Sequence, residues 1–68
     1  MTEQPFWLSD NEKEAKALAA ALEREGFPAR AERNLEADWV VWAAYTAPHW
    51  KRARLVRAGF LAGLAAQR

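Results

Sequence analysis

The eight residues 39–46, WVVWAAYT, restrict the fold more than any other part of the chain. They carry no charge, are rich in β-branched and aromatic side chains, and are too few for a typical globular helix, so they read as a strand. Successive side chains on a strand point to opposite faces, which puts Trp39, Val41, Ala43 and Tyr45 on one side and Val40, Trp42 and Ala44 on the other. Both sides are apolar. Such a strand is central in its sheet or covered on both faces, so the remaining residues have to supply its neighbours and its cover.

The N-terminal stretch offers the first neighbour. QPFWLS alternates Phe6 and Leu8 against Trp7, follows Pro5 closely and ends in SDNE, which predicts a strand over 4–8. Ser9 with Glu12 forms an S-x-x-E capping box at the start of a helix over 10–25, and Asp10, Glu12 and Glu14 suit the positive end of its dipole. Ala15, Leu18, Ala19 and Leu22 make one apolar stripe at i, i+3, i+4 and i+7, and Gly26 is the expected left-handed residue after the helix. FPARAER then alternates Phe27, Ala29 and Ala31 with polar positions, predicting a strand over 27–33 that lies at an edge because Pro28 lacks a ladder donor. NLEAD is a loop, the apolar strand runs over 39–46, and Pro48 opens a final helix over 48–66.

The order is β-α-β-β-α in a single small domain, 1–68. A right-handed crossover that leaves room for the third strand between the first two gives a two-layer α+β fold with strand order 1-3-2, antiparallel or mixed. It amounts to a ferredoxin-like unit without its fourth strand. The first strand is then a bare edge, and bare edges tend to be paired or covered. With the first helix on one face of the sheet, Trp7 joins Val40 and Trp42 on the other. That face is expected to pack, under the last helix or a second chain, or to bind a protein partner through Trp7 and Trp42; a ligand or base-stacking platform beside Arg30 is the weaker reading.

The last helix is apolar nearly all round. At 100° per residue, Ala53, Val56, Phe60 and Leu64, with Trp50 and Leu61, form a bulky face, while Leu55, Ala58, Gly59, Ala62 and Ala66 form a small-residue face opposite. One sheet offers such a helix only one covered side. The small face, with Leu55, Ala58 and Ala62, therefore predicts a helix-mediated homodimer. Size points the same way: a chain of 68 residues with no cysteine is marginally stable alone and has no disulfide to help it.

Charge is divided unevenly. Residues 1–50 hold five Lys/Arg against nine Asp/Glu, net −4, and residues 51–68 hold five Lys/Arg and no acid, net +5. Lys51, Arg52, Arg54 and Arg57 beside Trp50 combine positive charge with a stacking surface, so nucleic-acid binding is the alternative function; the competing view makes them a solvated face or partners of Glu23, Glu25, Glu32 and Glu36. The longest small-and-apolar run, residues 58–66, is nine residues against about 20 for a bilayer, so no membrane association is expected. Glu3 precedes any Lys or Arg, which is the pattern of neither a signal nor a transit peptide, and the lack of cysteine fits a reducing cytoplasm.

Catalysis has few candidates. His49 is the single histidine, Ser9 the single serine, and cysteine is absent, so no triad or Cys-His pair can be assembled within one chain. Glu12 and Glu14 sit on one exposed turn without an apolar pocket, and Gly26, Gly59 and Gly63 form no phosphate loop. No enzymatic activity, cofactor or metal is expected.

Residues 5–44, with the Ala-rich helix ending in Leu22, Gly26 and Phe27 and a Trp-containing return strand, resemble small ferredoxin-like interaction modules such as the bacterial regulator of ribonuclease E activity B family. The resemblance implies the same strand-helix-strand fold and a non-catalytic binding role. The basic last helix and the lack of that family's acidic segments set this chain apart. Together with the Ala/Arg/Trp-rich composition, these features suggest a small regulatory protein of bacterial or phage origin that works as an accessory factor.

Overall fold

A computed structural model describes residues 3–36 and 38–67. The elements run β1 (Glu3–Ser9), α1 (Glu12–Arg24), β2 (Ala29–Arg33), β3 (Trp39–Ala44), a single 3-10 turn (Ala47–His49) and α2 (Trp50–Gln67). Both β1 and β2 pair antiparallel with β3, giving the order β1-β3-β2. The expected α+β architecture with order 1-3-2 is present, and the Cα trace fills a slab of 31 × 30 × 15 Å.

Both ends of α1 follow from local chemistry. Asn11, not Ser9, caps it: the Asn11 side chain accepts from the Glu14 N–H at 3.1 Å, and its carbonyl accepts the first helical bond from Ala15. The Ser9 hydroxyl instead accepts from the Asn11 N–H at 3.0 Å, fixing the chain between β1 and the helix. At the other end, Gly26 N–H donates to Glu23 O at 3.0 Å and Phe27 N–H to Leu22 O at 2.9 Å. This is the Schellman arrangement, and it requires the positive φ of 90° that Gly26 adopts. Phe27 and Pro28 belong to this turn, so β2 starts at Ala29, although Pro28 O still accepts from Ala44 N–H at 2.9 Å.

Similar chemistry moves the start of α2. His49 N–H donates to Thr46 O at 2.9 Å, so Pro48 lies in the 3-10 turn and the helix proper begins at Trp50. Between β2 and β3, the Asn34 side-chain oxygen accepts from the N–H groups of Glu36 and Asp38, both at 3.0 Å. That organises the expected loop apart from Ala37, which lies outside the described residues.

The core lies between the sheet and both helices. Leu18, Leu22 and Val41 are fully enclosed, and Phe6, Ala15, Ala19, Phe27, Ala43 and Ala53 complete the cluster. The four predicted stripe residues of α1 are its buried residues. Because Ala53 belongs to this cluster and Phe60 of α2 meets Trp7 edge-to-face at 6.1 Å, α2 lies on the same side of the sheet as α1. It does not cover the second face.

A bulge in β1 corrects the assignment of Trp7. Pro5 pairs with Trp42 and Trp7 with Val41, so Phe6 has no opposite residue. The extra residue turns both Phe6 and Trp7 toward the helices: Phe6 is buried, touching Tyr45 edge-to-face at 5.9 Å, and Trp7 packs against the core. Leu8, opposite Val40, takes the outward position on the Trp42 side and is 56% exposed. Trp7 and Trp42 are thus on opposite faces, and they do not form the shared surface that simple alternation predicts.

Candidate protein interface on the last helix

Two surfaces are candidates for binding: the helix-free face of the sheet and the outward face of α2. On the first, Trp42 stands in the middle of the sheet with Arg30 beside it on β2. The Arg30 guanidinium lies 5.4 Å from the Trp42 ring centre and reaches across β3 to Glu3 on β1, with Nε donating to both carboxylate oxygens at 3.1 Å and Nη2 to one at 2.9 Å. Its Nη1 pairs with Glu32. Hydrogen bonds to Glu3 first, and to Glu32 second, raise the Arg30 pKa further above its ordinary range.

The result is a charged strap over an apolar strand. Val40 and Ala44 are buried beside it although neither described helix packs on that side. One group is left unpaired: Trp42 Nε1 is enclosed and has no hydrogen-bond partner among the described residues. The strap explains how a strand apolar on both faces can stand in a sheet with helices on only one.

The second surface is different. Of the 18 residues of α2, Ala53 is the buried one. Val56 and Phe60 are half-buried against the core and Leu64 is half-buried, while Ala58, Gly59, Ala62, Gly63 and Ala66 are exposed and Leu55 is 72% exposed. A Cβ built on Gly59 or Gly63 meets nothing within 4 Å. The small face expected from the sequence is turned outward, and Ala53, Val56 and Phe60 of the expected bulky face turn to the core, but Trp50 and Leu61 of that face line the outward groove with Leu55 and Ala58.

The basic cluster divides into two pairs. Arg52 Nη2 donates to the Glu25 carbonyl at 2.8 Å and to its carboxylate at 3.4 Å, and the guanidinium lies 5.3 Å from the Phe27 ring. It thereby occupies the carbonyl end of α1, where a cation is favoured. Arg57 Nη1 donates to the Phe6 carbonyl at 2.7 Å, and its guanidinium lies 4.5 Å from the Phe6 ring. These two arginines fasten α2 to the body, and Arg57 also satisfies a carbonyl of the bulged edge strand.

Lys51 and Arg54 remain outward, 6.0 and 5.0 Å from the ring centre of Trp50, itself 38% exposed. With Leu55, Arg57, Ala58 and Leu61 they line a shallow groove of about 590 Å³ along one flank of the helix. Neither anchoring contact has a spacing signal, since Arg57 bonds a residue 51 positions away and Arg52 one 27 positions away. The basic residues themselves were the only clue.

His49 is exposed, with Nδ1 3.4 Å from Thr46 Oγ1. Among the described residues no three His, Asp or Glu side chains gather as metal ligands, and no helix is long and apolar enough to cross a membrane. No protein-family model, curated protein or solved structure shows a significant match to this chain.

Proposed function

We propose that this protein is a small, non-enzymatic protein-binding module of regulatory type that works as a homodimer through the outward face of α2. The observation that carries the reading is the mismatch between the composition of α2 and its burial. Leu55, Ala58, Gly59 and Ala62 are exposed side by side on one face of the helix. Burying one leucine is worth about 1.5–3 kcal/mol, and in a two-fold dimer each such contact counts twice. The resemblance to small interaction modules and the cysteine-free composition support a binding role in the cytoplasm.

The test is solution mass by light scattering across protein concentration. The parent is expected to double its mass in a salt-independent way, and Ala62→Glu to remain monomeric with unchanged far-UV circular dichroism. A parent that stays monomeric at every concentration rejects the reading.

A second reading, nucleic-acid binding, is favoured by one feature: two cations beside the half-open Trp50 ring. Arg52 and Arg57 are already engaged with backbone carbonyls, which leaves Lys51 and Arg54 as the outward pair of the cluster. Two phosphate contacts give a log–log salt slope of only about −2, against about −5 to −9 for six to ten contacts. Oligonucleotide binding with a steep salt slope, abolished by Arg54→Glu, would put this reading first.

A further inference from the structure

Going beyond the α2 homodimer, and independently of it, we propose that the free edge of β2 takes an extended segment of a partner protein as a fourth, antiparallel strand. The segment carries the pattern acid-x-apolar-x-base along the face that meets α1. The two edges of the sheet are finished differently. On β1, Pro5 has no N–H, the bulge at Phe6 interrupts the ladder, and Arg57 already occupies the Phe6 carbonyl. An edge closed in this way resists a further strand.

β2 is open along its length. Its ladder to β3 includes Pro28 O, which accepts from Ala44 N–H, and Asn34 N–H, which donates to Asp38 O. The two-residue alternation of an antiparallel pair puts Arg30 and Glu32 in the same inward set. Ala29, Ala31 and Arg33 form the other set, so their N–H and C=O groups point away from β3, and none has a backbone partner among the described residues. Donors and acceptors at this spacing are satisfied together by an extended backbone.

Beside the edge, an open groove of about 450 Å³ runs between α1 and β2, lined by Ala19, Ala20, Ala29 and Ala31 with Lys16 and Glu23. Alanine on both walls leaves room for a bulky apolar side chain placed opposite Ala31. The ends of the groove differ in charge. Lys16, though paired with Glu12, lies 5.5 Å from the ring centre of Trp39, the residue opposite Arg33, so two cations mark the end of β2. Glu23 also borders Gly26, Phe27 and Pro28, which puts an anion at its start. Neither Arg33 nor Glu23 has an ion-pair partner among the described residues.

An antiparallel segment enters at the Arg33 end, so it meets the cations first, the alanine-lined space next and the anion last. That order calls for an acid, an apolar residue and a base at alternate positions. β2 of a second copy would present Ala29, Ala31 and Arg33 in that order, with no acid for the cations and no side chain large enough to fill the groove. The chain is therefore a poor occupant of its own edge.

The test uses the isotope-labelled full chain and two end-blocked peptides: Thr-Thr-Glu-Thr-Leu-Thr-Lys-Thr-Thr, and the same peptide with Glu and Lys exchanged. With the first, the Ala29, Ala31 and Arg33 amides are expected to shift and to gain about tenfold or more in hydrogen-exchange protection at saturation, with the Leu8 amide of β1 unchanged. The exchanged peptide is expected to bind several-fold more weakly. Ala31→Pro removes the central edge donor, and Ala20→Arg lays a long side chain across the groove from an exposed helix position without altering the strand. Both should weaken binding strongly. Unmoved β2 amides at millimolar peptide, or shifts confined to β1 or α2, would overturn the proposal. Protection of the same amides in the free protein that is lost on dilution would put a second copy at the edge and overturn the partner strand. Because α2 is fastened to β1 by Arg57 and Phe60, Ala62→Glu should bind the first peptide like the parent. A monomeric parent that binds it would reject the homodimer and support the β2 site.

Discussion

Two helices of high alanine content are treated very differently by the fold. α1 buries four of 13 residues, Ala15, Leu18, Ala19 and Leu22, in one stripe, whereas α2 buries one of 18, Ala53. Both are rich in alanine and leucine. The difference lies in where the charges are placed: those of α1 are spread along its length outside the stripe of Ala15, Leu18, Ala19 and Leu22, so both of its leucines share a single direction. In α2 the charges crowd into the first two turns, and apolar residues continue around the rest. Apolar content alone therefore does not predict burial; the angular distribution of polar residues does.

The means of attachment differ as well. α1 is held by enclosed aliphatic side chains, while α2 combines one buried alanine and two half-buried apolar side chains with two arginines that bond backbone carbonyls and lie on aromatic rings. The largest effect that tests this contrast comes from the body. Leu18→Ala is expected to cost about 2–5 kcal/mol in urea or thermal denaturation, enough to threaten a domain of this size. The apparently equivalent Leu55→Ala should leave the dilute monomer within about 0.5 kcal/mol of the parent and weaken the dimer instead. If Leu55→Ala unfolded the monomer, α2 would be packed more like α1 than its exposure indicates.

Next in size is the arginine anchor. Arg57→Ala leaves the Phe6 carbonyl without its charged donor and is expected to cost about 1.5–3 kcal/mol, with a change in tryptophan fluorescence as Phe60 loosens from Trp7. Arg57→Lys keeps the charge but loses the planar stacking on Phe6, and should recover only part of the stability. Full recovery by lysine would mean that charge alone holds the helix.

The elements fixed by local pattern were legible in the residues, and those fixed by long-range geometry were not. The stripe of α1, the left-handed Gly26 and the strand order 1-3-2 all follow from periodicity, turn chemistry and the handedness of crossovers. The bulge at Phe6 has no local signature, since alternation in PFWLS is equally compatible with a regular strand, and that one extra residue moved Trp7 to the covered face. Arg30 carries no hint that it will span β3 to Glu3, and this strap supplied the cover that a second layer was expected to give. At the outward face of α2, Leu55, Ala58 and Ala62 were identifiable from the helical projection alone, because what mattered there was angle and not contact.

The cap of α1 is a smaller case in which two local signals compete. Ser9 and Asn11 both precede the helix, and each has a glutamate three residues on. Asn11 prevails because its oxygen reaches the Glu14 N–H, while Ser9 bridges back to the Asn11 N–H. Asn11→Ala should therefore cost about 1 kcal/mol in thermal denaturation, and Ser9→Ala less. The reverse order would restore Ser9 as the cap.

The smallest change cuts most directly between a helix that is finished and one that awaits a partner. A methyl group at residue 59 meets nothing within 4 Å in its own chain, so Gly59→Ala removes only the conformational freedom of glycine and should stabilise the dilute monomer by about 0.5–1 kcal/mol, raising its melting temperature by a few degrees. In a homodimer built on the outward face of α2 the same methyl would stand between the two helices and force them apart. The expected outcome is a pair of opposite signs: a higher melting temperature at low concentration and a weaker dimer by sedimentation equilibrium. A higher melting temperature with an unchanged dimer constant would mean that the glycine face looks into water, and that α2, for all its exposed leucine and alanine, contacts its partner elsewhere.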